Sequence, residues 1–271
     1  LEDSELRSQT AEYQAALSVA QASLEKLLAG SSPEEIAVYE TALEAAKTTL
    51  KNEQQDLADA QAQAQNDLLE TYDDGLDSVS AAYTAGDKAL KTYDSFRERY
   101  FYFNDTISSQ LKLRGIATQA ELDKAKTAID AANVSLSGNN VSVALSQTKT
   151  ALNAIKDILA LMRTDMEDAS YKTAVLSADR TILNTERTTI DTAIAEATTA
   201  RQKISSQELA NQTSINAGQA AVDTAKVSVQ SSQDKLNQLK APARSADIDL
   251  NKAQVAQAQA AASRAQKQLA K

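Results

Sequence analysis

LLAGSSPEEI (Leu27 to Ile36) and LKAPARSADI (Leu239 to Ile248) hold both prolines of a 271-residue chain that is otherwise rich in helix-forming residues. In the first stretch Gly30 suits the end of a helix. Ser32 is the expected cap of the next, with Pro33 in its first turn and Glu35 at its third position. In the second, Pro242 ends one helix and Ser245 is the expected cap of its successor. The stretches also match at a constant offset. Leu24, Leu27, Ala29, Glu35 and Ile36 answer to Leu236, Leu239, Ala241, Asp247 and Ile248, and Leu43 and Ala46 answer to Val255 and Ala258.

Outward from the first break, Leu6, Tyr13, Ala20 and Leu27 fall seven apart, as do Leu17 and Leu24, and together they read as the a/d seam of a coiled coil. The seam restarts out of phase at Ile36 and continues through Leu43, Leu50, Leu57 and Ala64. Around the second break, Ile215, Val222, Val229 and Leu236 keep the same spacing, accompanied by Ala225 and Leu239. Ile248, Val255, Ala262 and Leu269 then resume it. Two seams of matching length at opposite ends of a chain predict antiparallel pairing. Equal rise along both arms would set Gly30 level with Pro242 and Leu1 level with Lys271.

The fold class expected is therefore all-α: a long antiparallel coiled-coil hairpin with a distal four-helix-bundle insertion. Residues 1–70 form the ascending arm, broken near 28–34. Residues 71–200 form the insertion, and 201–271 the descending arm, broken near 240–246. Within the insertion the first helix runs through YDDGLDSVSAAYTAGDKALKTYDSFRERY, and a loop follows around Asn104 to Gly115. Thr118 and Glu121 form a capping box, and SGNN (Ser137 to Asn140) a turn. The next helix carries Val141, Leu145, Leu152, Ile155, Leu159 and Met162. The last begins near Ala169 to Leu176 and sets Leu176, Leu183, Ile190, Ala197 and Ile204 seven apart. The eleven residues from Ile204 to Ile215 read as a stutter.

Composition narrows the function classes. Apolar residues make up 42% of the chain, but they are mostly small or aliphatic, with no Trp and three Phe, which implies thin seams around few helices. A net charge of −9 with no long run of Lys or Arg disfavours nucleic acid. Without Cys or His, thiol chemistry, the common zinc sites and the usual neutral-pH general base are missing. No phosphate loop or nucleophile–base pair stands out, so no catalytic, cofactor or metal residue is assigned and no enzyme is expected. No apolar run is long enough to span a membrane. The chain opens on Leu rather than Met, and is expected to be part of a longer one.

One stretch concentrates the aromatics: YDSFRERYFYFND, Tyr93 to Asp105, holds all three Phe. Phe96, Arg97, Arg99, Tyr100, Phe101, Tyr102 and Phe103 are candidates for a partner surface, with core packing as the other reading. YDDGLD, Tyr72 to Asp77, lacks the ligand alternation of a calcium loop and reads as a solvated helix face. The sequons at Asn104, Asn133, Asn140 and Asn211 are at chance frequency for a Ser/Thr-rich chain.

LEKLLAGSSPEEIAVYETALEAA and LNQLKAPARSADIDLNKAQVAQAQAA resemble the paired motifs on the hairpin arms of HlyD-like membrane fusion proteins, the periplasmic adaptor subunits. The resemblance makes Leu27, Gly30, Pro33 and Ile36, with Leu239, Pro242 and Ile248, the joint of a hairpin inserted between β-rich lipoyl-like halves. In LKLRGIATQAELDKA, which loosely resembles the family's channel-contacting tip, Leu111 stands for the tip Leu and Thr118 for the tip Ser. Ile107 occupies the Arg position.

The function implied is that of a rigid spacer and docking element in an efflux or secretion system. The implied partners are an inner-membrane transporter and an outer-membrane channel or another envelope protein. A homo-oligomer of the full-length protein is implied too, and no cofactor. The location implied is the extracytoplasmic cell envelope, anchored through a segment outside this chain. The alternative from another class is an extracytoplasmic four-helix-bundle sensor on a coiled-coil stalk.

Overall fold

Long runs of Ala, Leu, Gln, Glu and Lys with few Gly or Pro favour uninterrupted helix. The structure, a computed structural model, describes residues Glu2 to Ala270. These residues form six helices: α1 (Glu2–Ala29), α2 (Pro33–Tyr100), α3 (Thr106–Val134), α4 (Gly138–Asp165), α5 (Ser177–Lys240) and α6 (Ser245–Leu269). Among the described residues there is no strand, and the protein is all-α.

The first break forms as its residues dictate. Gly30 adopts a left-handed φ of 69° beyond the end of α1, Pro33 opens α2, and the Glu35 N–H donates to Ser32 Oγ at 3.1 Å. A Cβ at Gly30 would meet nothing within 4 Å, so its cost would be backbone strain alone. Gly30→Ala is expected to lower stability by about 1 kcal/mol, and Gly30→Asn by less, in urea unfolding followed by circular dichroism.

The second break departs from expectation. Ser245 is not a cap but the first helical residue of α6. Arg244 is the N-cap, in extended conformation, and makes no side-chain capping bond. Its carbonyl instead accepts from the N–H groups of Asp247 and Ile248, each at 3.0 Å.

The chain divides into two compact units. One comprises Leu1–Leu57 and Gly218–Lys271. In it α1 packs along α6, and the buried residues are few and small: Thr10, Leu43, Ala46, Val222, Ala225, Leu236, Ala262 and Ala265. The remaining seam positions within this unit are half-buried, except Tyr13, which is exposed. Leu57 of α2 lies against Gly218 of α5, its Cα 3.6 Å from where a glycine Cβ would stand. Equal rise would have paired Leu57 with Ile215, so the register is three residues away from the expected mirror line. Lys240 pairs with Glu40 at 2.6 Å. The expected levelling of Leu1 with Lys271 lies outside the described residues.

The other unit is Ala58–Ala217, wider than the 71–200 read from sequence. Four helical segments enclose two apolar clusters. One is built from Ala82–Phe101, Leu111–Ala125, Ala151–Met166 and Leu183–Ala193, with Tyr171 and Val175. The second joins Tyr72, Leu76 and Val79 to Ala128–Ala132, Val141–Leu145 and Ala197–Ile204. All six α4 positions predicted to be apolar contacts are buried. Leu183, Ile190, Ala197 and Ile204 are buried on α5, whereas Leu176 is exposed ahead of that helix.

Three local expectations are corrected in this unit. The loop after α2 is confined to a few residues, because the Asp105 side chain caps α3 by accepting from Ser108 N–H at 2.7 Å. Thr118 therefore lies in mid-helix, buried, and opens no capping box. Ser137 caps α4 by accepting from Asn140 N–H at 3.3 Å, so Gly138 to Asn140 begin a helix rather than complete a turn. YDDGLD is helical, with Asp73, Asp74 and Asp77 exposed on α2.

Candidate functional site

The aromatic stretch splits at the end of α2. Phe96, Tyr100 and Phe101 are buried and belong to the first cluster, as does Leu111 of α3. Tyr93 lies beneath them, its hydroxyl donating to the Leu111 carbonyl at 2.6 Å, and burial raises its pKa. Tyr102 and Phe103 face outward, 68% and 52% exposed, with their rings stacked 4.3 Å apart at 29°. Core packing thus accounts for Phe96, Tyr100, Phe101, Leu111 and Thr118. Tyr102 and Phe103 are left on the surface.

The charged members pair locally. Arg97 bonds Asp94 and Glu98, each at 3.2 Å. Arg99 reaches across to Asp179 in the first turn of α5 at 3.1 Å, and also covers the Tyr100 ring at 5.8 Å.

Two tyrosine–carboxylate bonds tie the connecting segments to the unit. The Tyr100 hydroxyl donates to buried Asp179, and the Tyr171 hydroxyl donates to Asp105. Ser108 Oγ also lies 3.1 Å from the Tyr171 hydroxyl. Tyr171 comes from the turns between α4 and α5, and its ring meets Phe101 at 4.5 Å and Phe103 at 6.3 Å. Both connections, residues 101–105 and 166–176, therefore meet at one end of the four-helix unit.

Tyr171 and Asp179 were not among the residues singled out from sequence. Asp179 had a readable signal: it stands at helical spacing with Leu183, Glu186 and Ile190, so a carboxylate occupies an apolar stripe. Tyr171 had none, being a single ring in the polar run EDASYKT.

The Tyr171 hydroxyl, and then the Ser108 N–H, hold the Asp105 carboxyl below its ordinary value. Burial first, then the bond to Asp105, pushes the Tyr171 phenol up. A depressed carboxyl stabilises the fold above its unfolded pKa, near 3.9, and that contribution fades as pH falls through the lower folded value. The raised phenol stabilises below about pH 10, and its contribution fades as pH rises through the folded value. Tyrosine near-UV circular dichroism should therefore weaken below about pH 4 in the native chain. In Tyr171→Phe that acid-sensitive step should flatten; an unchanged step would place the titration elsewhere.

The joint residues lie where the breaks require. Leu27, Ile36, Leu239 and Ile248 are half-buried, and Gly30, Pro33 and Pro242 are exposed. Three of the sequon asparagines have side chains engaged with carbonyls: Asn133 with Ile129, Asn140 with Ser135 and Asn211 with Ala64. Asn104 is exposed between helices. Among the described residues no helix is long and apolar enough to cross a membrane.

No family model matches the chain, and no match was found among curated proteins or solved structures.

Proposed function

We propose that the chain is the non-catalytic helical hairpin of a membrane-fusion, or periplasmic adaptor, protein of the HlyD-like kind. It acts as a rigid spacer and protein-docking element of an efflux or secretion transporter. The observation that carries this reading is the pair of matching breaks, at Gly30–Pro33 and Lys240–Ser245. Each separates a short helix from a very long one, and the two short helices pack together. The 68 residues of α2 and 64 of α5 support a long antiparallel coiled-coil hairpin, since a helix rises about 1.5 Å per residue. Half-buried positions three and four apart on both arms support the coiled-coil seam. The four-helix unit is then the distal insertion, carried away from membrane-proximal domains.

On this reading the partners are an inner-membrane transporter and an outer-membrane channel or other envelope protein. The full-length protein is a homo-oligomer in the extracytoplasmic envelope. The test is the full-length gene and its neighbours. The reading expects β-rich segments before Leu1 and after Lys271, with a transporter encoded alongside. A transmembrane helix on each side would select the sensor alternative, and a flanking catalytic domain would end the proposal.

A further inference from the structure

We propose that Tyr102 and Phe103 form a preassembled aromatic knob that inserts into an apolar pocket of a separate protein; this rests on the docking reading above and names its contact. Of the eleven aromatics eight are buried or half-buried and Tyr13 is exposed only marginally, at 37%; Tyr102 and Phe103 are adjacent, stacked and mostly exposed. Their neighbours Tyr100 and Phe101 already fill the core, so packing does not account for the outer pair.

The knob is held before any partner arrives. Its short segment is anchored on one side by the Tyr100 hydroxyl on Asp179, and on the other by the Tyr171 hydroxyl on Asp105. Phe103 also leans toward the Tyr171 ring. A side chain already fixed in its contact geometry loses little freedom on binding, and rigid aromatic anchors dominate protein–protein contacts.

Charge selects the kind of partner. Residues 93–105 and 163–180, which build this end, carry five basic side chains against seven carboxylates. Arg97 pairs with Asp94 and Glu98, Arg99 pairs with Asp179, and Arg163 and Arg180 share Glu167. An anionic lipid surface or nucleic acid needs surplus basic charge, which this end lacks. A neutral apolar pocket needs none. The Tyr102 hydroxyl, which makes no hydrogen bond among the described residues, calls for an acceptor at the pocket rim.

The test uses the full-length protein in its source cells, with the photo-cross-linking residue benzoylphenylalanine placed at Tyr102, Phe103, Val134 or Val227. All four positions are exposed. Positions 102 and 103 should give one dominant adduct with a different protein, mapped to an apolar peptide; Val134 and Val227 should not. The purified partner should then bind the native protein at least about tenfold more tightly than the Tyr102→Ser/Phe103→Ser variant. That variant should keep the native helical signal and melting temperature, since both positions are exposed.

Adducts with phospholipid, adducts between copies of the chain, no adduct, or equal affinity would each overturn the knob. β-rich flanking domains together with no adduct would leave the adaptor reading standing without the knob. A defined adduct from a chain flanked by transmembrane helices would keep the knob and remove the adaptor reading.

Discussion

Leu152→Ala is expected to lower the stability of the four-helix unit by about 3 kcal/mol. Leu152 is wholly buried on α4, and its Cδ2 lies 3.0 Å from where a Cβ would stand on Gly86 of α2. Ile155 Cδ1 lies at the same distance, so two methyl groups close over the glycine and leave no room for another. Truncating one of them loses its transfer energy and opens a cavity that packed neighbours fill only in part. For a unit of this size the melting temperature should fall by roughly 6–12 °C. Val134→Ala, at an exposed site, should leave it unchanged within about 1–2 °C.

The same contact makes Gly86→Ala conditional. In the native background the helix-propensity gain of about 1 kcal/mol is opposed by both methyl contacts. In the Leu152→Ala background one contact is gone and the new methyl enters the vacated space. A favourable coupling of about 1 kcal/mol between the two substitutions is expected from thermal unfolding of all four species. Strict additivity would mean that α2 and α4 do not meet at this point.

What could be read in the sequence was whatever local spacing determines. The α4 stripe from Val141 to Met162 is buried throughout, because apolar residues three and four apart can only share one helix face. The first break was legible because Gly30, Ser32 and Pro33 each have one dominant local role. The second was not. Ser245 is a good cap by type, but the extended Arg244 carbonyl already receives the first helical N–H groups. Thr118 misled in the opposite direction: a local capping pattern competed with the stripe Leu111, Gly115, Thr118, Leu122 and Ala125, and burial of that stripe kept the helix running.

The fate of the aromatics was partly written in the same periodicity. Phe96 and Tyr100 continue the Ala89 and Tyr93 stripe of α2 and are buried with it. Beyond Tyr100 the helix ends and period no longer assigns a side chain to a face, so the outward turn of Tyr102 and Phe103 had no signal. The pairing of Tyr100 with Asp179 and of Tyr171 with Asp105 spans 79 and 66 residues, and only the assembled unit brings those groups together. The mirror line through the arms assumed equal rise through both breaks. They leave unequal lengths of chain outside helices, residues 30–32 against 241–244, so that assumption is not met.

Asp179→Ala is expected to be nearly as damaging as the loss of Leu152, at about 2–4 kcal/mol, although no apolar contact is removed. The carboxylate is buried in the first turn of α5, where it complements the helix N-terminus, and it accepts from both the Tyr100 hydroxyl and Arg99. Its loss takes the acceptor away from the Tyr100 hydroxyl, which belongs to a buried residue. An unsatisfied buried group costs more than the bond itself contributed. Tyr100→Phe alone should cost only about 1 kcal/mol, because Asp179 keeps Arg99 and its place at the helix end.

Combining the two substitutions should recover about 1–2 kcal/mol relative to their sum. Salt separates the contributions. The Arg99 side chain is about half exposed, so its share is screened in 1 M salt, whereas the stranded hydroxyl is not. A loss that persists at high salt assigns the effect to Tyr100; one that vanishes assigns it to a surface ion pair and removes this clamp from the account of how Tyr102 and Phe103 are held. With Tyr100 only two residues before Tyr102, a loosened clamp should also reduce the tyrosine near-UV signal at temperatures where the helical signal is still native.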